Sequence, residues 1–404
     1  MSGWKLKPSE SSDLTINPVR ELVGNIKLPE DFYMPTYSLA LGDPSVFPDF
    51  QAEPSMVEAV AQCLAAGKGN GYTDSCGSRE ARETIAMNFG YENIPLKFDD
   101  VIMDVGCTGA INTVLHAFLD PGDNILIPAP GFPLYKTMAS NMLAEARNYS
   151  LLADQGWEVD LSDLDRICDN RTKLLIIINP SNPCGSVYSK EHLLELLDWA
   201  ERKRICVLAD ETYHNMTYSR PYFPLGSLTD QVPVFTVGSL SKMFLVPGWR
   251  TGWIIIYDKY NRCGQIREGI SKVKNMLQHT ALFILQALPR IFKEMPYDFF
   301  PKLMDKIKIR AELVLKKVKE IECLSMELPQ GSINCMINID FGKLDFKDSV
   351  TFAKLLASEQ GVLVLPAEAF MGKDGIRIML CQPIYVIEEC MERIETFVTN
   401  HALA

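Results

Sequence analysis

The 404 residues exceed one ordinary domain, and 47% apolar against 23% charged is the balance of a globular protein with a sizeable core. A net charge of −11 argues against nucleic acid or an anionic membrane as partner. Eleven cysteines without a CxxC pair and five histidines without ligand spacing leave a disulfide framework and a metal centre unsupported.

The amino-terminal stretch MSGWKLKPSESSD lacks a continuous apolar core and is not the Arg-rich, acid-poor helix of a transit peptide, so the expectation is a cytoplasmic protein. Apolar runs such as Trp253–Tyr257 fall far short of a membrane span. From about residue 100, short apolar runs alternate with segments of helical period. That alternation predicts an α/β fold, a mostly parallel sheet with helices on both faces. The predicted strands are Val101–Val105, Asn124–Ile127, Leu174–Ile178, Ile205–Ala209, Val234–Val237 and Gly252–Tyr257. Helices are expected over Gly109–Leu119 and over Lys190–Arg202, the latter opened by a Ser189 cap. Asp120–Asp123 and Asn179–Pro183 read as turns. After roughly residue 300 a long amphipathic stretch, Leu303–Ile321, leads into a strand–helix–strand–helix region ending at His401. The expected organisation is a large domain over 51–300 and a smaller α+β domain over 301–404, preceded by a Pro- and Ser-rich stretch over 1–50.

In open α/β sheets, ligands sit beyond the carboxyl ends of the strands. Asn182, Asp210 and Lys242 each follow a predicted strand. Singly, Asn182 before Pro183 is an ordinary turn dipeptide and Asp210 an ordinary helix cap. Three strand ends carrying such groups together point to a site. The stretch TVGSLSKMFLVPGWRTG at 236–252 flanks Lys242 with Ser239 and Ser241 and brings Arg250 after the Pro247-Gly248-Trp249 corner. An amine that can lose its proton, beside hydroxyls and a guanidinium, suits a phosphorylated aldehyde cofactor. The lysine joins the aldehyde as a Schiff base, and the serines and arginine hold the phosphate. An ionised Asp210 keeps a pyridine nitrogen protonated, while Asn182 and Tyr213 can hydrogen-bond the ring's phenolate oxygen. The GCTGAI turn at 106–111 opens a helix, where the N–H groups of Cys107 and Thr108, with the Thr108 hydroxyl, can cradle a phosphate.

These residues resemble the class I/II aminotransferases, the fold type I group that uses pyridoxal 5'-phosphate, and within it the branch that acts on tyrosine. The carriers are INPVRELV at 16–23, LGDPSVFP at 41–48, NGYTDSCGSREAR at 70–82, PAPGFPLYKT at 128–137, PSNPCGSVYSK at 180–190, LADETY at 208–213, SLSKMFLVPGWRTGWI at 239–254 and IRIML at 376–380. The resemblance implies that Lys242 carries the cofactor, that Asp210 partners its ring nitrogen, and that Asn182 and Tyr213 contact its ring oxygen. It also implies that Cys107, Thr108, Ser239, Ser241 and Arg250 bind the phosphate and that Phe132 stacks on the ring. Arg377 would clamp the substrate α-carboxylate, with Gly42 offering backbone contact nearby. Tyr72 would reach the phosphate of a neighbouring subunit, which implies a homodimer with shared sites, and residues 1–50 would form an arm joining the small domain. Thr251, the Met243-Phe244 pair and PQGSINCMI at 329–337 depart from the family pattern. The last puts Ser332, Ile333 and Asn334 where P-x-G-A-M-Y is usual, and is expected to alter the side-chain pocket. The implied reaction is ping-pong transfer of an amino group from an aromatic L-amino acid, tyrosine first, to a 2-oxo acid such as 2-oxoglutarate. The alternatives are a broader aminotransferase for methionine, alanine or leucine, and a C–S or β-lyase, which would use the same lysine and aspartate. A non-catalytic regulator is disfavoured because nothing before residue 50 has room for a DNA-binding module.

Overall fold

The six predicted strands all form, within an eight-stranded sheet of the computed structural model, which describes residues 4, 6–26, 28, 29 and 32–403. In space the order is Val101–Val105, Thr251–Tyr257, Val234–Ser239, Cys206–Asp210, Thr172–Ile178, Asn124–Ala129, Glu145–Leu152 and Glu158–Val159. The strands from Val234–Ser239 to Glu145–Leu152 pair in parallel. Thr251–Tyr257 runs antiparallel to both neighbours. Its connection from Ser239, through a single helical turn at Leu240–Met243 and the Pro247–Trp249 corner, has no full crossover helix of the kind a parallel return needs.

Alternate residues of the central strands enter two cores. Leu175, Ile177, Val207 and Ala209 join one apolar cluster, and Leu174, Ile176, Leu208 and Val237 the other. A sheet covered on both faces has this consequence for its sequence: near-continuous apolar runs in place of polar alternation. Glu145–Leu152 escaped the sequence reading for the opposite reason. Its EARNYSLL sequence is half exposed and carries no apolar run.

Two predicted helices differ only in their ends. Lys190–Lys203 begins where Ser189 accepts from the His192 N–H, as the cap predicted. The helix expected from Gly109 starts at Gly106, because Gly106 makes the turn itself with φ +69.

A second sheet, antiparallel, has the order Leu324–Ser325, Asn334–Ile339, Gly375–Met379, Leu365–Pro366. The helices Phe299–Val318, Ser349–Gln360 and Ile384–Asn400 accompany it. Ile387, Cys390, Met391, Ile394 and Phe397 bury one face of the last helix at helical spacing. Before residue 50, Ser11 and Ile16 bond to Asn141 and Thr137 of the helix Leu134–Asn141, Tyr37–Ser38 pairs in parallel with Val362–Leu363, and Val19 and Leu22 pack on Ala40, Leu365 and Phe370. That pairing delivers residues 40–43 to the carboxyl ends of the large sheet. Among the described residues, no helix is long and apolar enough to cross a membrane, and no cluster of His, Cys, Asp or Glu could hold a metal.

Candidate active site

A cavity of about 720 Å³ opens where the strands Thr172–Ile178, Cys206–Asp210 and Val234–Ser239 end. Its wall includes Gly42, Cys107, Thr108, Phe132, Asn182, Asp210, Tyr213, Ser239, Ser241, Lys242, Arg250 and Arg377. Every candidate residue except Tyr72 is thus brought to one place. Tyr72 stands 89% exposed, away from the cavity lining.

One end of the cavity suits an anion. The first-turn N–H groups of an α-helix have no intrahelical acceptor, and no side chain caps the helix at Gly106. Arg250 packs against this start: a Cβ on Gly106 would lie 2.4 Å from its Nη2. Glycine therefore admits the guanidinium, which Val105 and Pro247 hold by their carbonyls at 3.2 and 3.0 Å. The Ser239 hydroxyl, fully buried, lies 3.4 Å from that of Thr212.

Asp210 ends its strand as a buried carboxyl group. Burial pushes its pKa up, and three donors oppose the shift. The Tyr135 hydroxyl donates at 2.6 Å, the Thr212 N–H at 3.1 Å and the Cys107 thiol at 3.4 Å. The same surroundings push the Cys107 thiol and Tyr135 hydroxyl well up, so both stay protonated and remain donors.

Lys242 sits in the turn after its strand and donates to the Gly42 carbonyl. Burial lowers its pKa to about 8, helped by the positive charges of Arg377 and Arg250 and resisted by Asp43. A neutral, nucleophilic amine is then available near neutral pH.

Arg377 is buried on the strand Gly375–Met379, and burial brings its pKa down to about 10. It donates to Asn182 Oδ1 at 3.4 Å and to the Ala40 carbonyl, and lies 4.9 Å over the Phe370 ring. Its Nε has no partner. A buried guanidinium on the wall of a cavity, held only by neutral acceptors, is suited to a carboxylate.

Comparison with known proteins agrees with this geometry. The family model described as aminotransferase class I and II matches residues 37–394. Tyrosine aminotransferase of Mus musculus is 37% identical over 98% of this chain and 88% of its own length. Among solved structures, tyrosine aminotransferase from Leishmania infantum superposes with a TM-score of 0.96 at 28% identity, covering 100% of both chains. Alanine aminotransferase from Pyrococcus furiosus follows at 0.93 and 29%, covering 98% of this chain and 100% of its own.

The chain belongs to the class I and II aminotransferases.

An aminotransferase of this family works with pyridoxal phosphate, and the cavity fits that group on its own evidence. The uncapped helix start beside Arg250 is chemically a phosphate site, and the neutralisable amine and buried carboxylate suit an aldehyde and a ring nitrogen. The structure adds three neighbours of the site, of which the sequence had marked only Asn334, as a departure from the family pattern. Tyr135 and Thr212 serve Asp210, and Asn334 lies 3.3 Å from the Tyr213 hydroxyl. Thr212 lies in LADETY and Tyr135 in PGFPLY, so both motifs were visible without the contacts. Of the departures, Ser332 and Asn334 are buried and do not line the cavity; Asn334 meets it through Tyr213.

Proposed function

We propose that the enzyme transfers the amino group of an aromatic L-amino acid, tyrosine first, to a 2-oxo acid such as 2-oxoglutarate, in two half-reactions at one site. The observation that carries the reading is the convergence of Lys242, Asp210 and Arg377 on a single cavity. Cys107, Thr108, Ser239, Ser241 and Arg250 would hold the cofactor's phosphate, Phe132 its ring face, and Asn182 and Tyr213 its ring oxygen. Pyridoxal phosphate, when bound, supplies an electron sink for the pair left as the substrate Cα–H bond breaks.

Arg377 fixes the substrate's α-carboxylate and so orients that bond. The Lys242 amine, neutral above its pKa of about 8, takes the α-proton and would deliver it to the carbon that was the cofactor's aldehyde. Asp210, on which Tyr135, Thr212 and Cys107 converge as donors, would as a carboxylate balance positive charge at the ring nitrogen. The preference for an aromatic side chain is supported by an apolar wall of Val19, Leu41, Leu134 and Phe370, and by the likeness to tyrosine aminotransferases. The same reading divides the chain into an arm at 1–50, a cofactor domain at 51–300 and a small domain at 301–404. It makes the working unit a cytoplasmic homodimer in which the exposed Tyr72 reaches the neighbouring site.

The test is to load the protein with pyridoxal phosphate, add L-tyrosine alone and follow the visible absorption band. Bleaching with stoichiometric 4-hydroxyphenylpyruvate, reversed by 2-oxoglutarate, is expected. A band that persists with tyrosine but bleaches with methionine or alanine rejects the aromatic preference, and ammonia with pyruvate from a cysteine conjugate would mark a lyase. The Lys242→Ala variant is expected to lose both the band and nearly all turnover.

A further inference from the structure

The PQGSIN segment at 329–334 lies between the two loops that carry Asn182 and Tyr213. The N–H groups of Gln330 and Gly331 donate to the Gly185 carbonyl at 2.8 and 3.0 Å, and the Val187 N–H donates to Gln330 Oε1 at 2.9 Å. On the other side Ser332 N–H donates to the Met216 carbonyl at 2.8 Å, and Tyr218 N–H to the Gln330 carbonyl at 3.0 Å. Gly331 is required there, since a Cβ would fall 2.5 Å from the Met216 oxygen. The segment is thus tied to both loops by backbone bonds.

Asn334, 1% exposed, projects from this tie toward Tyr213. Its Nδ2 lies 3.3 Å from the Tyr213 hydroxyl oxygen and 3.3 Å from Ser332 Oγ, while its Oδ1 has no partner. In this orientation both Nδ2 contacts are to hydroxyl oxygens, and the Oδ1 acceptor alone is unmet. In that orientation Tyr213 accepts from Asn334, so its own O–H proton is free to point elsewhere. Tyr213 lines the cavity; the groups that face its hydroxyl region are Asn334, Ser332, the cationic Arg377 and the carboxylate Asp210. Of these only Asp210 is a strong acceptor, and Tyr135, Thr212 and Cys107 already donate to it.

We infer that Asn334 is a positioning residue for Tyr213: by donating its amide to the hydroxyl oxygen it commits the Tyr213 proton to the cavity, toward the cofactor's ring oxygen. The inference rests on the assignment of Tyr213 to that oxygen under Proposed function. A proton donated to the ring oxygen draws charge from it, and so loosens the proton held on the Lys242 nitrogen once that nitrogen is joined to the cofactor. Without the Asn334 donor, the Tyr213 hydroxyl can turn back toward Ser332.

The experiment is a pH titration of the visible absorption band of the cofactor-loaded protein without substrate, a readout independent of turnover. Wild type is compared with Asn334→Leu, the smaller Asn334→Ala as a second variant against misfolding, Tyr213→Phe, and the double variant Asn334→Leu/Tyr213→Phe. The Asn334 variants are expected to raise the midpoint by about three- to tenfold in proton affinity, the size of one net hydrogen bond. Tyr213→Phe should shift it the same way, and Asn334→Leu should add nothing in that background. Asn334→Gln, which keeps a donor, should recover part of the shift. A midpoint that moves with Tyr213→Phe but not with Asn334→Leu or Asn334→Ala overturns the role of Asn334. An Asn334 effect that persists in full without the Tyr213 hydroxyl overturns it as well. No shift with Tyr213→Phe itself removes the assignment of Tyr213, and the inference with it.

Discussion

At Asp210 two effects oppose each other, and burial is the larger. Burial favours the protonated acid, and donated hydrogen bonds favour the carboxylate. Tyr135 makes the shortest of these bonds, so Tyr135→Phe is expected to raise the Asp210 pKa. The sign follows directly: with the pKa raised, the ionised form is lost at a higher pH, so the acid limb of the kcat/KM profile moves up. A hydrogen bond to a charged group contributes about 1.5–3 kcal/mol, which corresponds to roughly ten- to a hundredfold in activity on the acid side. The check is the pH–rate profile of the variant. Lys242 acts in the opposite sense. Its pKa of about 8 means that capture of pyridoxal phosphate by the cofactor-free protein should accelerate as pH rises toward 8 and level off above it. Stopped-flow absorbance would show this, and an unchanging rate across that window would contradict a lowered pKa. Lys242, Asp210 and Asn182 were legible in the sequence because each follows an apolar strand, and strand ends converge. The link from Tyr135 to Asp210 spans 75 positions and exists only once the chain is packed.

Among elements, the helix Gly106–Phe118 bears the most constraint. A side chain at Gly106 would meet Arg250, and the φ of +69 is unfavourable for any residue with a Cβ. Gly106→Ala is therefore expected to weaken cofactor binding by at least about tenfold, read by equilibrium titration, with a backbone cost of about 1 kcal/mol in thermal stability. Beneath the same helix lies a buried ion pair, Lys274 Nζ to Asp104 Oδ1 at 3.1 Å, with both side chains essentially inaccessible. Thr113 donates to the other Asp104 oxygen at 2.7 Å. Lys274→Met leaves a buried carboxylate without its cation and should cost about 3–5 kcal/mol. The double variant Lys274→Met/Asp104→Asn should recover much of that in denaturant unfolding. None of this was visible beforehand. Asp104 sits within a run read as apolar, and the helix Gly264–Leu277 that supplies Lys274 was not predicted. Periodicity finds strands and faces, but it is silent about which buried charge meets which.

For the whole molecule, the cavity draws on every part of the chain. Gly42 comes from the amino-terminal stretch, Lys242 and Asp210 from the parallel sheet, and Arg377 from the antiparallel one. The α/β pattern after residue 100 and the change of character near residue 300 were readable because apolar periodicity reports layers. The placement of the first fifty residues was not, since two-residue pairing at Tyr37–Ser38 leaves no periodic signal. This stretch nonetheless reaches two cations of the site. The Ala40 carbonyl accepts from Arg377 and the Gly42 carbonyl from Lys242. Both cations therefore rest on neutral acceptors carried by one short piece of backbone. A carboxylate is the stronger acceptor for a guanidinium. The Ala40 and Gly42 carbonyls, two residues apart, are therefore placeholders: they occupy donors of Arg377 and Lys242 that an acid group and an aldehyde would claim.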